Sequence, residues 1–405
     1  MQSAVCCGAA RRMVGAIVRL SRKSSKSREN MPMIYLDNAA TTAPSSEAVK
    51  EALCFLGENF YNPSALYRAS FAVHKQMEEA RRSILSHIAD PAKFGLIFTS
   101  CGSEADNQAL FAGARRGNFV TTEGEHAAVQ HAAEELSRRG IEVRFAKLDR
   151  FGRVDADDLL RLIDGQTSLV SVIHVNNETG AVNDVAALAA AVKKKSPRAL
   201  FHSDGVQAFG KIPFRLTRDI DFYTVSAHKI GGIRGVGGLF YKKGASLRPL
   251  IFGGGQESGL RGGTENTFAI AQFAAAANRK FASLTEDAAR IAGIRRFLME
   301  ELDTDIFSVL SPEDGSPYIL CVSANGLRGE VLLHMLDDNG VMVGTGSACS
   351  SKNRYSRVIL ACGIDEQTAD GVLRLSFSVH TSQEECRLAV EIINRCAKDL
   401  RERMR

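Results

Sequence analysis

Lys229 stands where a lysine can do covalent chemistry. It closes the stretch Tyr223–Lys229 (YTVSAHK), in which Asp221–Val225 has the aromatic and β-branched character of a short buried strand. The glycine-rich run Gly231–Gly238 (GGIRGVGG) follows. A lysine at the end of a buried strand lies at the rim of a core, where burial disfavours the ammonium and leaves an amine able to form a Schiff base with an aldehyde. A surface lysine in a glycine loop is the alternative, and the heptapeptide alone does not decide between them. The other candidate nucleophile is a cysteine. The nine cysteines (6, 7, 54, 101, 321, 349, 362, 386 and 396) are scattered, with no CxxC pair and no Cys/His group at zinc spacing. That pattern argues for a reducing compartment and against a disulfide framework or a structural metal. Cys349 lies in a small, polar stretch, Val343–Tyr355 (VGTGSACSSKNRY), with Lys352 and Arg354 nearby to favour the thiolate. Cys54, Cys321, Cys386 and Cys396 fall in predicted strands or helices and are expected to be buried packing.

These residues need a scaffold, and the pattern of apolar runs supplies one. Strand-like segments at 96–99, 119–121, 141–145, 169–175, 199–201 and 221–225 alternate with helical patterns at 104–115, 126–138, 155–163 and 185–194. Two more helical patterns, 45–57 and 66–88, precede them. Such alternation predicts an α/β layered fold with a largely parallel sheet, in which ligands bind beyond the carboxyl ends of the strands. Those ends read Ser100–Ser103, Glu125–His126, His174–Glu178, His202–Gln207 and Ser226–Lys229, and each carries polar or ionisable groups. From about Phe268 an alanine-rich helical stretch leads to a second pattern: strands at 318–322 and 374–377, and helices at 329–339 and 383–403. We therefore expect a large domain over 43–285 and a smaller α/β domain from 286–405, to which residues 31–42 with the strand 34–36 belong.

Hydrophobic residues at 45% and charged residues at 24% exclude a disordered or fibrous chain. Residues 1–30 hold seven Lys or Arg and one acid, which leaves 44 positive and 45 negative side chains in the remaining 375. The body is thus neutral and offers no support for direct nucleic-acid binding. The basic tail has two readings, an organelle transit peptide or a disordered arm upstream of a start at Met31. No run of about 18 apolar residues is present, so no membrane span is expected.

The Gly102-Ser103 step between a strand and a helix offers backbone N–H groups and a hydroxyl to a phosphate. A GxGxxG after the first strand and a GxxxxGK[ST] are both lacking, so nucleotide binding by those routes is unsupported. A lysine, a phosphate cradle, an aspartate and a histidine on neighbouring strand ends are the set a pyridoxal phosphate enzyme needs. At this point the motifs become specific. Tyr35–Thr42 (YLDNAATT), His174–Glu178 (HVNNE), His202–Gln207 (HSDGVQ), Ser226–Lys229 (SAHK), Arg261–Thr264 (RGGT) and Gly346–Cys349 (GSAC) resemble, in order, those of the cysteine desulfurases, in the class V aminotransferase group of fold-type I pyridoxal phosphate enzymes. The likeness runs from about Met33 to the C-terminus.

The resemblance implies pyridoxal 5'-phosphate as cofactor and gives roles to matching positions. Lys229 would hold the cofactor covalently, Asp204 its ring nitrogen and Gln207 its ring hydroxyl, with His126 stacked on the ring. Gly102, Ser103, Ser226 and His228 would hold the phosphate, with Thr264 reaching across from the second subunit of a homodimer. Asn177, also expected at the cofactor, and Arg374 would bind substrate, an arginine being a natural bidentate partner for an α-carboxylate; Asp37 and Asn38 form either a turn or a substrate contact. Cys349 falls on the nucleophile that takes sulfur from L-cysteine as a persulfide, for an iron-sulfur scaffold, a tRNA-thiolation enzyme or another carrier. The segment from Cys349 to Val358 is about as long as in members that hand sulfur directly to partner proteins. Two departures stand out: Cys101 where the family often has glycine, and Gly102-Ser103 in place of Ala-Thr. The serine keeps the hydroxyl, and the variant resembles bacterial members, which points to a cytoplasmic enzyme; the matrix of a mitochondrion-like organelle is the alternative if the tail is a transit peptide. Selenocysteine lyase or another β-elimination on the same fold, and a non-enzymatic sulfur-transfer platform, stay open as competing readings. His174 and His202 read as structural.

Overall fold

The computed structural model describes residues 33–345 and 354–404; the basic tail and Cys349 lie outside the described residues. The described chain opens with β1 (Ile34–Tyr35). After two helices come β2 (Phe94–Thr99), β3 (Asn118–Thr122), β4 (Glu142–Ala146), β5 (Thr167–Ser171), β6 (Leu200–Asp204), β7 (Phe222–Ser226) and β8 (Gly237–Lys242). These last seven form one sheet in the order β2-β8-β7-β6-β5-β3-β4, in which β8 alone runs antiparallel to its neighbours. The other six therefore point their carboxyl ends to the same edge.

Both faces of this sheet are covered, and the strand sequences say so. In β7 and β8, Phe222 and Leu239 face one core with Val129 and Leu136 of the helix Ala127–Arg138, while Tyr223 and Phe240 face the other with Ile84 and Phe273. Adjacent strand residues pointing to opposite apolar layers give continuous hydrophobic runs, as in other buried sheets. The helix Arg68–Ile88 buries Met77, Ala80, Ile84 and Ile88 at helical spacing along the stripe it lays on this core.

The C-terminal part adds β9 (Phe307–Val309), β10 (Ile319–Ala324), β11 (Val341–Met342) and β12 (Val372–Ser376). β10 pairs antiparallel with both β9 and β12, and β11 pairs in parallel with β1. Isolated bridges from Asp37 to Ser376 and from Gly344 to Arg374 tie β1 and β11 to β12. Ile34 and Leu36 are buried in the same core as Leu298, Leu320, Leu336, Leu375 and Ile393. The last helix, Gln383–Arg403, starts in a capping box between Ser382 and Glu385.

Several sequence expectations are refined. The helix expected over 45–57 runs only over Ser46–Ala52 and then tightens into a 3₁₀ turn, Leu53–Leu56. Cys54 lies in that turn and is partly exposed, so it is not the buried packing residue expected; Cys321, Cys386 and Cys396 are buried, and Cys362 joins them. The strand β5 ends at Ser171, although Val172 and His174 still donate their N–H groups to His202 and Asp204 carbonyls at 3.1 and 2.9 Å. β8 was hidden because it begins with two glycines, residues poor in strand propensity. Gly237 is required there: a Cβ would lie 2.6 Å from the carbonyl carbon of Cys101.

Candidate active site

The carboxyl ends of β2, β3, β5, β6 and β7 open on one cavity of about 480 Å³. Gly102, Ser103, His126, Asn177, Asp204, Gln207, Ser226, His228, Lys229 and Arg374 all line it.

Lys229 is placed by the turn Ala227–Lys229 at the end of β7. Its Nζ donates to the carbonyl oxygens of Ala39 and Ala40 at 2.6 and 2.8 Å. The AATT segment is what fixes this turn. Thr42 donates both its N–H and its hydroxyl to the His228 carbonyl at 2.9 Å, and its Oγ1 accepts from Gly231 N at 2.8 Å. Residues from the start and the middle of the chain are thereby locked together around the lysine.

Asp204 ends β6 and is buried, accepting from Val206 N at 2.9 Å. Burial first, then the nearby Asp106 carboxyl, push it up to about 6 against the opposing pull of His126. Asp106, on the buried face of the helix Gly102–Gly113, is itself pushed up to about 7 by burial. His126 caps its helix through Nδ1, which accepts from Ala128 N at 3.2 Å, so a neutral ring carries its proton on Nε2. Asp106, His126 and Asp204 bring one polar atom each within 4.8 Å of one another. Two carboxyls crowded in a buried site gain most from a cationic N–H.

His202 and His174 are held in the framework, as expected. The His202 ring sits between the Ser171 and Thr224 hydroxyls at 2.8 and 3.1 Å, and His174 Nδ1 meets the Tyr223 hydroxyl at 2.8 Å. Burial pushes both down to about 4. The 3.5 Å contact from His202 to Asp106 is therefore not an ion pair. His228 is likewise pushed down to about 4 by burial and by the Lys229 and Lys211 cations.

The opposite wall belongs to Arg374 in β12. It donates to Asp37 Oδ1 at 2.8 Å and to the Asn177 carbonyl at 2.9 Å, while its buried Nε makes no hydrogen bond among the described residues. Ser356 and Arg357 line the cavity beside it. Ser356 donates to Glu178 Oε2, and Arg357 to the Glu123 and Glu125 carbonyls. Arg354 is engaged by Asp370 at 2.9 Å.

Three expected residues stand apart. Of its two readings Asn38 takes the turn: its amide donates to the Tyr35 and Ser376 carbonyls at 3.2 and 3.0 Å, while Asp37 and Ala39 face the cavity. Thr264 lines a separate hollow with Thr99, Ser100 and Arg261. Cys349 lies outside the described residues. Sequence reasoning missed Asp106, whose only signal was an acid four positions after Gly102 on a helix facing a sheet, and Lys211, four positions after Gln207.

The wall fits pyridoxal phosphate on its own evidence. Ser226 Oγ is buried without a hydrogen-bond partner among the described residues, beside the amino end of the helix Gly102–Gly113. A Cβ on Gly102 would lie 3.0 Å from Val206 Cγ2 and 3.5 Å from Ser226 Cβ, which sets the first residue of that helix, with its free N–H groups, against the end of β7. A mostly parallel α/β sheet with a lysine, an aspartate and a histidine at its carboxyl edge defines the class, a fold-type I enzyme.

Comparison with known proteins narrows the class. The aminotransferase class-V model matches residues 34–388. "Cysteine desulfurase IscS" of Clostridium botulinum is 36% identical over 381 residues, covering 91% of this chain and 95% of the relative. The protein of the same name from Dictyoglomus turgidum is 33% identical over 378 residues, with 91% and 95% covered. A solved "NifS-like protein" superposes with a TM-score of 0.86 at 33% identity, over 91% of this chain and all of that one. The chain belongs to the class-V aminotransferase family, among relatives of the IscS and NifS kind.

Proposed function

We propose that this chain is an L-cysteine desulfurase that binds pyridoxal 5'-phosphate and delivers sulfur as a persulfide on Cys349. The observation that carries the reading is the convergence of Lys229, Asp204, His126 and Arg374 on one cavity. Bound there, the cofactor supplies an aldehyde and an electron sink. Lys229 holds it and removes the Cα proton of the substrate, and the Asp204 carboxylate keeps a proton on the ring nitrogen. His126 would lie against the ring, and Gln207 would offer an amide N–H to its hydroxyl. Gly102, Ser103, Ser226 and His228 hold the phosphate, and Arg374 with Asn177 orients the substrate carboxylate. The Cys349 thiolate attacks the sulfur of L-cysteine: an S–S bond forms, the Cβ–S bond breaks, Cβ takes a proton, and Cα recovers the proton that Lys229 removed, giving L-alanine. The persulfide passes to a sulfur-acceptor protein.

The active form is proposed to be a cytoplasmic homodimer in which Thr264 serves the second subunit's site. Leu56, Phe60, Leu66, Phe71 and Phe252 are 64 to 104% exposed, an apolar surface a single chain in water leaves uncovered at a cost. Among the described residues no helix is long and apolar enough to cross a membrane.

The test is a visible spectrum of the purified protein, then alanine and sulfide assays with L-cysteine for wild type, Lys229→Ala and Cys349→Ala. A yellow wild type making both products equally is expected. Lys229→Ala should lose more than about a thousandfold of the rate, while Cys349→Ala should keep the colour and lose persulfide. Full sulfur release by Cys349→Ala would move the reading to selenocysteine lyase or another β-elimination.

A further inference from the structure

Lys211 is buried at 3% exposure and makes no ion pair among the described residues. Packing alone would be served by Met or Leu without the desolvation of an amine. Two successive turns after β6, closed by Ala208 N and Phe209 N on the Gly205 carbonyl and by Lys211 N and Ile212 N on the Ala208 carbonyl, set Lys211 beside Gln207. Lys211 Nζ lies 2.7 Å from Gln207 Oε1 and 5.9 Å from the centre of the Tyr318 ring. Gln207 Nε2 donates to the Ala39 carbonyl at 2.9 Å, and that same carbonyl accepts from Lys229 Nζ at 2.6 Å. The two lysines are thus joined through one amide and one carbonyl.

We propose that Lys211 is a positioning residue: by occupying Gln207 Oε1 it fixes the amide so that Gln207 presents a donor to the cavity, and it thereby tightens the grip on the cofactor. The inference rests on the function proposed above. A carbonyl can only accept, so the Gln207 nitrogen must face Ala39 and its oxygen must face Lys211. An amide nitrogen has two hydrogens; Ala39 takes one, and the other is left for the cavity that Gln207 lines. Lys211 supplies an N–H whether charged or neutral, so the orientation does not depend on its proton. Burial, with Lys229, Lys280 and Arg374 as the neighbouring cations, holds its pKa well below that of a free lysine. Without Lys211, Oε1 is a buried acceptor with no partner and only the Ala39 carbonyl still holds the amide in that orientation, so the donor presented to the cavity is less firmly fixed.

The experiment measures the dissociation constant for pyridoxal phosphate and the visible band of the bound cofactor in wild type, Lys211→Met, Lys211→Gln, Gln207→Leu and the double variant Lys211→Met/Gln207→Leu. Lys211→Met should weaken binding about tenfold and move the band. Lys211→Gln, which keeps an N–H, should return to within about twofold of wild type. The double variant should bind no worse than Gln207→Leu, because Lys211 acts through that amide. Losses that multiply in the double variant, or a Lys211→Met protein with wild-type affinity and band, would overturn the inference. If Lys211→Met does not fold, a Lys211→Gln protein with tenfold weaker binding overturns it equally. A wild type that takes up no cofactor sinks this inference together with the reading beneath it, whereas uptake with unchanged variants sinks this inference alone.

Discussion

The cavity has two walls built on different principles. The sheet wall is assembled from the ends of five strands, and its ionisable groups are seated by backbone: Lys229 on two carbonyls, His126 on the N–H of Ala128, Asp204 on the N–H of Val206. The wall from the C-terminal part is carried by Arg374 in β12 and by the segment at Ser356, and its groups reach across to the loop after β5 in the other part: Arg374 to the Asn177 carbonyl, Ser356 to the Glu178 carboxylate. A strand end fixes an atom to within the rigidity of a sheet, which suits a group that must meet one cofactor atom. A pair that spans two parts suits a substrate that comes and goes. Substitutions on the two walls should therefore fail differently, those on the sheet wall in colour and those on the other in substrate affinity.

Arg374→Ala should give the largest such separation. Removing a charge-assisted, two-pronged partner of a carboxylate is worth about a hundredfold in KM for L-cysteine, while the visible spectrum stays that of the wild type. A colourless Arg374→Ala would erase the distinction between the walls. Gly344→Ala tests the same wall more gently. Its Cβ would fall 2.7 Å from Asp37 Oδ1 and 2.9 Å from Arg374 Nη2, so the pair must part or the backbone must move. A KM raised about tenfold with unchanged colour is expected, and steady-state kinetics beside a spectrum would read it.

The two walls also differed in how far the sequence revealed them. Strand ends were legible because a run such as Phe222–Ser226 has the composition of a buried strand, and whatever follows it in a parallel sheet must face the ligand edge. Lys229 and Asp204 could be put at strand ends on that ground, and the motif resemblance then supplied the roles expected of them. The long-range pairings of the other wall left no such mark. The bond from Asp37 to Arg374 joins residues 337 positions apart, and nothing local distinguishes Asp37 from Asn38; the neighbour's amide turned out to be held by two carbonyls. β8 was missed for the opposite reason, since the glycines that let it pass close to Cys101 disguise it as a loop. Asp106 and Lys211 read as unremarkable charges in helical or turning segments, because burial of a single charge is a property of the surroundings and not of its own neighbours in sequence.

The crowding of carboxyls on the sheet wall should leave a trace in stability against pH. Glu125 is buried, with Oε1 accepting from the Thr122 hydroxyl and Ile173 N at 2.8 Å and Oε2 unpartnered among the described residues. Burial first, and then Asp204 and Asp106, push it from 4.5 up to about 8. Between those values the folded chain holds a proton that the unfolded chain has released, so stability falls as pH rises through the window. His174 and His202, pushed from 6.5 down to about 4, act in the opposite direction: the unfolded chain takes up protons first, and stability is lost as pH falls below 6.5. Asp106 shares the alkaline slope only up to about 7, which leaves Glu125 the main contributor among the raised carboxyls above it. Glu125→Gln should therefore flatten the decline in melting temperature between about pH 7 and 8.5 while leaving the acid side as in the wild type. Equal declines in the two proteins would mean that the Glu125 proton is not what the sheet wall loses.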